Sequence, residues 1–514
     1  MSKTPLLEAL LRADNYPHPA DNITLLETHI SWVFLSGDYA YKIKKPLDLG
    51  FLDFSTLDKR RHCCYEELRL NQRLAPQLYL DVVAIHQQGD KIQISSDHNN
   101  AIEYAVQMRR FSQQQMLEHC LLRDEITPQQ IEQFASKMAH FHQNITRATP
   151  TDGHGSFQCV AEALEENFHH IEQSNITASL NNHKQATLAQ LQQFHDNIDQ
   201  RQANGFIREC HGDLHLANLV VLDDQITPFD CIEFNPNFYW IDVISEIAFL
   251  IMDLQQRGYA NFANQFLNQY LSQTGDYAGV VLLPLYLNYR AMVRAKISAI
   301  RLQQPIDPQQ RLAEQALLES YLALAEHYCQ PQKGALIITH GLSGSGKSWL
   351  CRQLSPHLNA IQIRSDVERK RLFSDLSKDS LYSAATTQAT YHHLRNIAEQ
   401  LICSGVTVLI DATCLQLWQR QLFQQLANQQ QKPFLVLQLL VPFPQLEENI
   451  RQRQQLKQDP SEADLAVLAK QFSQFHPLAE GAELVNYHWG ENPSTTLQAI
   501  QQKLGPVDVS FSPL

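Results

Sequence analysis

Residues 335–350 read ALIITHGLSGSGKSWL, an apolar run followed directly by a loop of glycine and serine. The loop at 341–348 has the spacing G-x-x-x-x-G-K-[ST]. Glycines permit the tight turn in which consecutive backbone N–H groups point at phosphate oxygens, and a helix opening at Lys347 adds its positive end. Because the strand, loop and helix signals are in register, the pattern predicts a phosphate-binding loop rather than a flexible turn.

The side chains of this loop predict a site for Mg-ATP. Lys347 would neutralise the β and γ phosphates, and Ser348 would supply a hydroxyl to Mg²⁺. The candidate nucleotide-binding residues of the loop are Gly341, Ser343, Gly344, Ser345, Gly346, Lys347 and Ser348. ATP and Mg²⁺ are therefore the expected cofactors.

The region around the loop alternates apolar runs with segments long enough for a helix. The apolar runs are 335–340, 359–363, 406–410 and 434–441. This alternation predicts a parallel sheet covered by helices on both faces. A short polar break at 330–334 precedes the region, and the charge balance changes there from net −14 to net +1. We therefore expect two domains, 1–330 and 331–514.

The composition of the 514 residues limits the possible partners. A net charge of −13 disfavours non-specific binding to nucleic acid or to an anionic membrane. The 10 cysteines include no C-x-x-C pair, so neither a disulfide framework nor a zinc ribbon is indicated. No stretch approaches the ~18 apolar residues of a membrane span. We expect a cytoplasmic protein that acts on a small molecule, not on nucleic acid or at a membrane, and the oligomeric state stays open.

The first 330 residues predict a small β-rich part followed by a larger helical part. Residues 31–43 alternate around Ser36-Gly37-Asp38, which is the pattern of a β-hairpin. Helical spacing then runs from Thr56 to Leu74. Two more strands are expected at 78–86 and 101–109, and helices at 127–191 and 241–329.

A second set of polar residues stands at 211–218, which reads HGDLHLAN, and Asp230 follows 12 residues after Asn218. This arrangement resembles the aminoglycoside-phosphotransferase and choline-kinase branch of the protein-kinase-like fold, which implies a two-lobed domain. By that resemblance Asp213 would accept the proton of an acceptor hydroxyl. Asn218 would coordinate Mg²⁺, and Asp230 would chelate the metal between phosphates.

The same resemblance implies a lysine on an early strand and a glutamate on the next helix. Lys42 and Lys44 share one strand face, and Lys42 is preferred. Glu66 and Glu67 are the helix candidates, and Glu67 is preferred. The chain departs from the family in one place, since no G-x-G-x-x-G covers the expected nucleotide loop. Asp242 matches a family position that supports the active site, and we interpret it as structural.

The strand at 359–363 is followed by Arg364-Ser365-Asp366. This sequence resembles small kinases of the P-loop superfamily, in the polynucleotide-kinase-like, gluconate-kinase-like and chloramphenicol-phosphotransferase-like groups. The resemblance implies that Asp366 is the general base for the acceptor hydroxyl, and that Arg369 or Arg371 holds substrate or phosphate. Alternatively, Asp366 only caps the next helix.

Two further residues belong to this candidate site. Asp411 ends the strand at 406–410, at the carboxyl edge where ligands bind in such folds, and is a candidate partner of Mg²⁺ or of substrate. Residues 447–453 resemble the lid segment of the same kinases, which implies that Arg453 lies over the nucleotide. A solvated helix is the alternative, because Arg451 and Arg453 would point to different faces.

The whole chain resembles a bacterial fusion of an aminoglycoside-phosphotransferase-like domain with a small P-loop kinase domain. The expected fold is α/β and α+β, with a two-lobed kinase-like domain followed by a P-loop NTPase domain. The expected function is ATP-dependent phosphotransfer, by two phosphate-handling modules, to a hydroxyl of a small molecule. The alternatives are a nucleotide-gated regulatory protein, favoured by the missing glycine-rich loop, and a kinase of nucleic-acid ends, favoured by the Asp366 region. In both alternatives only the C-terminal module would bind ATP.

Overall fold

The computed structural model describes residues 3–505, apart from 51, 90, 174–179, 457–462, 474, 476–477 and 479–482. The chain contributes three segments to each of two compact units. The first unit contains 1–134, 141–163 and 195–250, and the second contains 135–140, 164–194 and 251–514. Within the described ranges, no helix combines the length and the apolar character that a membrane crossing requires.

The described residues form the following strands and helices. The strands are β1 (Thr24–Glu27), β2 (Ser31–Ser36), β3 (Tyr39–Lys44), β4 (Tyr79–Gln88), β5 (Lys91–Ser95), β6 (Glu103–Arg109), β7 (Ile207–Glu209), β8 (Leu219–Leu222), β9 (Gln225–Pro228), β10 (Trp240–Asp242), β11 (Leu336–His340), β12 (Ala360–Arg364), β13 (Thr407–Asp411), β14 (Phe434–Leu440) and β15 (Leu484–His488). The α-helices are α1 (Lys3–Leu10), α2 (Leu57–Gln72), α3 (Leu117–Leu122), α4 (Pro128–Asn144), α5 (Phe157–Glu172), α6 (Leu180–Gln193), α7 (His195–Ala203), α8 (Pro236–Tyr239), α9 (Val243–Gln256), α10 (Ala260–Thr274), α11 (Leu283–Leu302), α12 (Pro308–Tyr328), α13 (Lys347–Leu354), α14 (Ser365–Leu372), α15 (Lys378–Leu381), α16 (Ala384–Cys403), α17 (Leu417–Gln429), α18 (Phe443–Leu456), α19 (Leu465–Phe472) and α20 (Pro493–Leu504).

Six antiparallel strands of the first unit form a sheet of order β1-β2-β3-β6-β4-β5. β2 and β3 form the predicted hairpin, and Gly37 and Asp38 make its turn. Gly37 has a φ of +58°, and a Cβ added there would lie 3.0 Å from the carbonyl oxygen of Pro19, so this turn requires glycine. β4, β6 and α2 confirm the predicted elements, and the hydroxyl of Thr56 caps α2 by accepting from the Lys59 N–H.

Side chains on β3 alternate between the two faces of this sheet. Tyr41 and Ile43 point into the cluster that α1 covers. Ala40 points to the opposite face, where β4 and β6 pack against α2. Lys42 and Lys44 share the face of Ala40, so the alternation places both ammonium groups against α2.

The second unit contains a parallel sheet of order β12-β13-β11-β14-β15. Its first four strands along the chain confirm the predicted ones. β15 was not predicted, because only five residues form it and two of them, Asn486 and His488, are polar and exposed. The carboxyl ends of β11, β12 and β13 meet at one edge, where the loop 341–348, Arg364 and Asp411 converge. The predicted combination of α/β and α+β folds is confirmed.

Candidate active sites

Three of the predicted residues of the first unit form one ionic network. Lys42 Nζ donates to Glu67 Oε1 at 2.8 Å and also to Asp230 Oδ1. The Lys42 side chain is 12% exposed and that of Glu67 is 0% exposed, whereas Asp230 is 40% exposed. The network therefore holds the lysine in a nearly dry environment and leaves one carboxylate open to a ligand.

The neighbouring lysine extends this network into the interior. Lys44 Nζ donates to Glu67 Oε2 at 2.7 Å and to Glu233 Oε1. Burial alone would raise the pKa of Glu67, but the ammonium groups of Lys42 and Lys44 outweigh burial and lower it to about 2. Glu66 instead pairs with Arg69 at 2.8 Å on the outer side of α2. Both lysines thus contact Glu67, and Lys42 is the one that also contacts Asp230.

The carboxylate of Asp213 is held by two side chains. Asn218 Nδ2 donates to Asp213 Oδ2 at 2.8 Å, and His215 Nε2 lies 3.2 Å from the same oxygen. His215 Nδ1 accepts from the Ala217 N–H at 3.2 Å, so Nε2 is the ring nitrogen that donates to Asp213. Sequence reasoning gave His215 no role, although its position two residues after Asp213 was the available signal.

A buried histidine joins this loop to the segment that carries Asp230. His211 Nε2 lies 2.9 Å from the Phe229 carbonyl oxygen, and His211 Nδ1 accepts from the Asp213 N–H at 3.2 Å. Burial lowers the pKa of His211 to about 4, which keeps the ring neutral. Asp230 itself has a φ of +64°, and its N–H donates to the Tyr79 hydroxyl at 3.0 Å. Tertiary hydrogen bonds thus stabilise an uncommon backbone conformation at the candidate metal ligand.

Sequence reasoning missed the residue that supports the loop at 211–213. Glu246 on α9 accepts from the N–H groups of His211 at 2.8 Å and Gly212 at 3.0 Å. Asp242, which the family resemblance singled out, pairs instead with Arg201 and caps α9 by accepting from the Ile244 N–H. Asp242 is therefore structural, as interpreted, and Glu246 supports the loop.

One buried cluster of the first unit has ligand-type side chains. His142, Cys210 and Glu246 have ligand atoms within 4.8 Å of one another. Glu246 already accepts two backbone N–H groups. Burial, followed by the charges of Arg208 and Arg73, lowers the pKa of His142 to about 3. Because Glu246 is engaged by the backbone of the loop, we assign this cluster to the support of residues 211–213.

Two glycines of the loop at 341–348 in the second unit adopt left-handed backbone conformations. Gly344 and Gly346 have φ values of +81° and +82°, and a Cβ added at Gly346 would meet nothing within 4 Å. Lys347 Nζ turns back over the loop and donates to the carbonyl oxygens of Leu342 at 2.8 Å and Gly341 at 3.2 Å. Burial lowers the pKa of Lys347, and Asp411 and Asp366 oppose that shift. The free space at Gly346 and the half-buried ammonium group of Lys347 fit an anionic ligand such as the phosphates of ATP.

Two amide side chains from later helices hold the outer part of this loop. Asn449 Nδ2 on α18 donates to the Gly344 carbonyl oxygen at 2.8 Å. Gln471 Oε1 on α19 accepts from the Ser343 N–H at 2.9 Å. Neither residue was identified from the sequence, because side-chain amides that contact distant backbone leave no local pattern. Arg453, half-buried on α18, donates to the Ala463 carbonyl oxygen.

The candidate metal side of the loop contains a hydroxyl and a buried carboxylate. Asp411 Oδ2 accepts from Gln362 Nε2 at 2.9 Å and lies 3.5 Å from Arg364 Nε. Arg364 Nη2 lies 3.5 Å from Ser348 Oγ, so this arginine lies between the two predicted metal partners. Hydroxyl and carboxylate oxygens are ligands that Mg²⁺ accepts, which fits Ser348 and Asp411. Arg364 was quoted in the sequence but not assigned a role.

Asp366 lies partly exposed in the first turn of α14, two residues beyond Arg364. The two arginines that follow have structural contacts. Arg369 donates to the Leu381 carbonyl oxygen at 3.1 Å, and Arg371 pairs with Glu368. The proton-accepting role of Asp366 stays a prediction, as do the roles of the other candidate residues.

The comparisons with known proteins match two separate ranges of the chain. Residues 59–283 match the model of the phosphotransferase enzyme family, and residues 336–478 match that of an AAA domain. The predicted resemblance is confirmed at this level: an earlier range matches the phosphotransferase model and a later range matches the AAA-domain model.

An uncharacterized protein of Mycobacterium tuberculosis is 29% identical over 420 residues, which cover 77% of this chain and 80% of the relative. The solved APS kinase of Mycobacterium tuberculosis, in complex with AMPPNP and APS, is similar with 20% identity over 34% of this chain and 100% of its own, at a TM-score of 0.28. Plasmodium vivax ethanolamine kinase is similar with 11% identity over 60% of this chain and 82% of its own, at a TM-score of 0.34.

Proposed function

We propose that this chain is an ATP-dependent phosphotransferase with two phosphate-handling sites, which transfer the γ-phosphoryl group of Mg-ATP to a hydroxyl of a small molecule. The observation that carries the proposal is that each unit holds its own lysine, its own candidate metal-binding oxygens and its own candidate base. These are Lys42, Asn218, Asp230 and Asp213 in the first unit, and Lys347, Ser348, Asp411 and Asp366 in the second.

In the first unit, Asp213 serves as the base. As the acceptor oxygen bonds to phosphorus and the bond from phosphorus to the bridging oxygen breaks, Asp213 accepts the hydroxyl proton. The hydrogen bonds from Asn218 and His215 orient the carboxylate for this transfer. Lys42, fixed by Glu67, neutralises phosphate charge, and Asp230 with Asn218 would hold Mg²⁺.

In the second unit, the backbone of the loop supplies most of the phosphate contacts. Lys347 leaves its carbonyl partners and neutralises the β and γ phosphates. Ser348 and Asp411 would hold Mg²⁺. Asp366 accepts the proton of the acceptor hydroxyl, and Arg453 reaches over the nucleotide. Since Lys347 is half-buried, its contact with phosphate is stronger than a contact in water.

A screen of hydroxylated metabolites for ATP consumption by the full chain tests this proposal. Asp213→Asn and Asp366→Asn each remove one base and keep the side-chain volume. For an accepted substrate, the variant at its own site is expected to slow transfer by roughly 10²–10⁴-fold, and the other variant should leave transfer unchanged. If no substrate is phosphorylated, or both variants retain wild-type rates, the assignment of these bases is wrong.

One observation favours a second candidate function. The hairpin at the position of the expected nucleotide loop has only the two-residue turn of Gly37 and Asp38. A regulatory protein whose second unit alone binds ATP would not need a phosphate-covering loop there. The number of ATP molecules bound by the intact chain distinguishes this function from the first.

The ten cysteines of the chain are free thiols, and seven of them are buried. This arrangement supports the proposed cytoplasmic location, where thiols stay reduced. The net charge of −13 supports a small-molecule substrate over nucleic acid.

A further inference from the structure

A helix covers the edge strand of the parallel sheet in the second unit. β12 stands first in the sheet order, so the backbone groups on its outer side need partners other than a strand. Asn268 on α10 supplies them: its Oδ1 accepts from the Gln362 N–H at 2.7 Å, and its Nδ2 donates to the Ala360 carbonyl oxygen at 3.0 Å. One side-chain amide thereby replaces a neighbouring strand at two backbone positions.

A second asparagine, one helical turn earlier, duplicates only half of this contact. Asn264 Nδ2 donates to the Ala360 carbonyl oxygen at 3.2 Å, and Asn264 Oδ1 accepts from Asn268 Nδ2 at 2.9 Å. Both residues face β12 because positions four apart share a helix face. Only Asn268 contacts Gln362, so the two asparagines form a natural pair of test position and control.

The side chain of Gln362 connects its backbone position to the candidate metal site. Its side-chain Nε2 donates to Asp411 Oδ2 at 2.9 Å. Arg364 lies two residues further on the same face of β12, lies 3.5 Å from the same carboxylate oxygen, and also approaches Ser348 Oγ at 3.5 Å. A continuous series of polar contacts therefore runs from Asn268 to Ser348 of the phosphate-binding loop.

The end of the same helix is fixed to the segment that carries the candidate base. Arg371 on α14 donates to the carbonyl oxygen of Ser272, in the last turn of α10. A cation at a helix C-terminus is favourable because the unpaired carbonyl groups there carry partial negative charge. α10 thus contacts both β12 and α14, on which Gln362 and Asp366 lie.

We propose that Asn268 is a positioning residue for the nucleotide site of the second unit. It fixes the backbone of Gln362, whose side-chain amide holds the Asp411 carboxylate where Asp411 and Ser348 would bind Mg²⁺. This inference rests on the proposed function, since it assigns a partner to that same site. Asn268 lies in the range 59–283 that matches the phosphotransferase family, whereas the site lies in the range 336–478. The nucleotide site in 336–478 therefore depends on a residue of the range that matches the phosphotransferase family.

The test measures how much Mg²⁺ strengthens ATP binding by the full chain. Calorimetric titrations with ATP are performed in Mg²⁺ and in EDTA, and the Lys347→Ala variant identifies the binding event that belongs to the loop. Asn268→Ala should reduce the gain from Mg²⁺ by about 10-fold, the lower end of the effect of disturbing an outer partner of a metal ligand, because Gln362 is no longer held against Asp411; ATP affinity in EDTA should not change. Asn264→Ala should keep the wild-type gain, because Asn268 still holds Gln362.

Two further variants separate positioning from folding. Gln362→Met keeps the backbone N–H and removes the amide that contacts Asp411, so it should lose the same gain as Asn268→Ala. Asn268→Asp keeps the oxygen that accepts from Gln362 but replaces the donor to Ala360 by a second oxygen, so it should restore only part of the gain. If Asn268→Ala does not fold, Gln362→Met alone decides.

Wild-type dependence on Mg²⁺ in Gln362→Met, or equal dependence in Asn268→Ala and Asn264→Ala, overturns the positioning role only. Absence of any ATP binding that is sensitive to Lys347→Ala overturns the proposed function of this site, and the positioning role with it.

Discussion

The two candidate sites differ in what builds them. Lys42 of the first unit contacts carboxylates that lie 25 and 188 residues away in the sequence. Lys347 of the second unit contacts carbonyl oxygens of its own loop, five and six residues away. The first site consists of side chains that the fold brings together, whereas the second is mainly the backbone of eight consecutive residues. Mutations in the first site should therefore lower the free energy of unfolding, whereas mutations in the loop should hardly change it.

The two lysines also differ electrostatically. Burial would lower the pKa of Lys42, but Asp230 and Glu67 raise it well above its ordinary value. Burial lowers the pKa of Lys347, whose hydrogen bonds go to neutral oxygens. A phosphate at Lys347 therefore supplies a counter-charge, whereas a phosphate at Lys42 competes with two carboxylates. We expect the second unit to bind ATP more tightly than the first.

Replacing Glu67 by alanine should produce the largest change, because two buried ammonium groups lose the carboxylate that they share. The free energy of unfolding should fall by about 3–5 kcal/mol, measured by urea denaturation. Glu66→Ala is the matched control: Glu66 pairs with Arg69, whose side chain is 46% exposed, and its loss should cost less than about 1 kcal/mol. Equal losses at the two positions would contradict the structural role of the first network.

Lys347→Ala should weaken ATP binding and leave the stability of the chain nearly unchanged. ATP affinity at the loop should fall by about 100-fold, because a half-buried charge that would face phosphate is removed, while the free energy of unfolding changes by less than about 1 kcal/mol. Calorimetry and urea denaturation of the same samples measure both effects. Lys470→Ala, at an exposed position on α19, is the control and should change neither. A large loss of stability without a loss of ATP affinity would contradict the expected difference between the two sites.

The contrast also explains what the sequence could predict. The loop at 341–348 was identified because its residues are contiguous and each has a local conformational reason. Lys42 was preferred over Lys44, but the sequence offered no geometric reason because both lysines lie on one face of β3, and in the structure both contact Glu67. The structure separates them through Asp230, which lies on a distant segment.

The residues that were missed act over long sequence distances. Glu246 contacts backbone groups 34 and 35 residues before it, and its own helix shows only an ordinary apolar pattern. Asn268 contacts Gln362, 94 residues later, from a helix whose other asparagines look identical in sequence. Such contacts are set by tertiary packing, so no local spacing indicates them.

The first unit should also lose stability in weak acid. His211 and His142 are buried with pKa values of about 4 and about 3, below the ordinary 6.5. The unfolded chain takes up protons below pH 6.5 and the folded chain does not, so stability is lost as the pH falls from about 6.5 toward 4. Each histidine should cost about 2 kcal/mol at pH 5.

Urea denaturation at pH 7 and pH 5 measures this loss. His142→Gln should reduce the difference between the two pH values by about 2 kcal/mol. His62→Gln, at an exposed position on α2, should leave the difference unchanged. An unchanged difference in His142→Gln would show that His142 is not buried in its neutral form.

Calorimetric titration of the intact chain with Mg-ATP tests the central claim of two separate nucleotide sites. We expect two equivalents of ATP, of which Lys347→Ala removes one and Asp230→Ala removes the other. A single equivalent that is lost in Lys347→Ala and unaffected by Asp230→Ala would contradict the account. The first unit would then be a kinase-shaped binding or regulatory module.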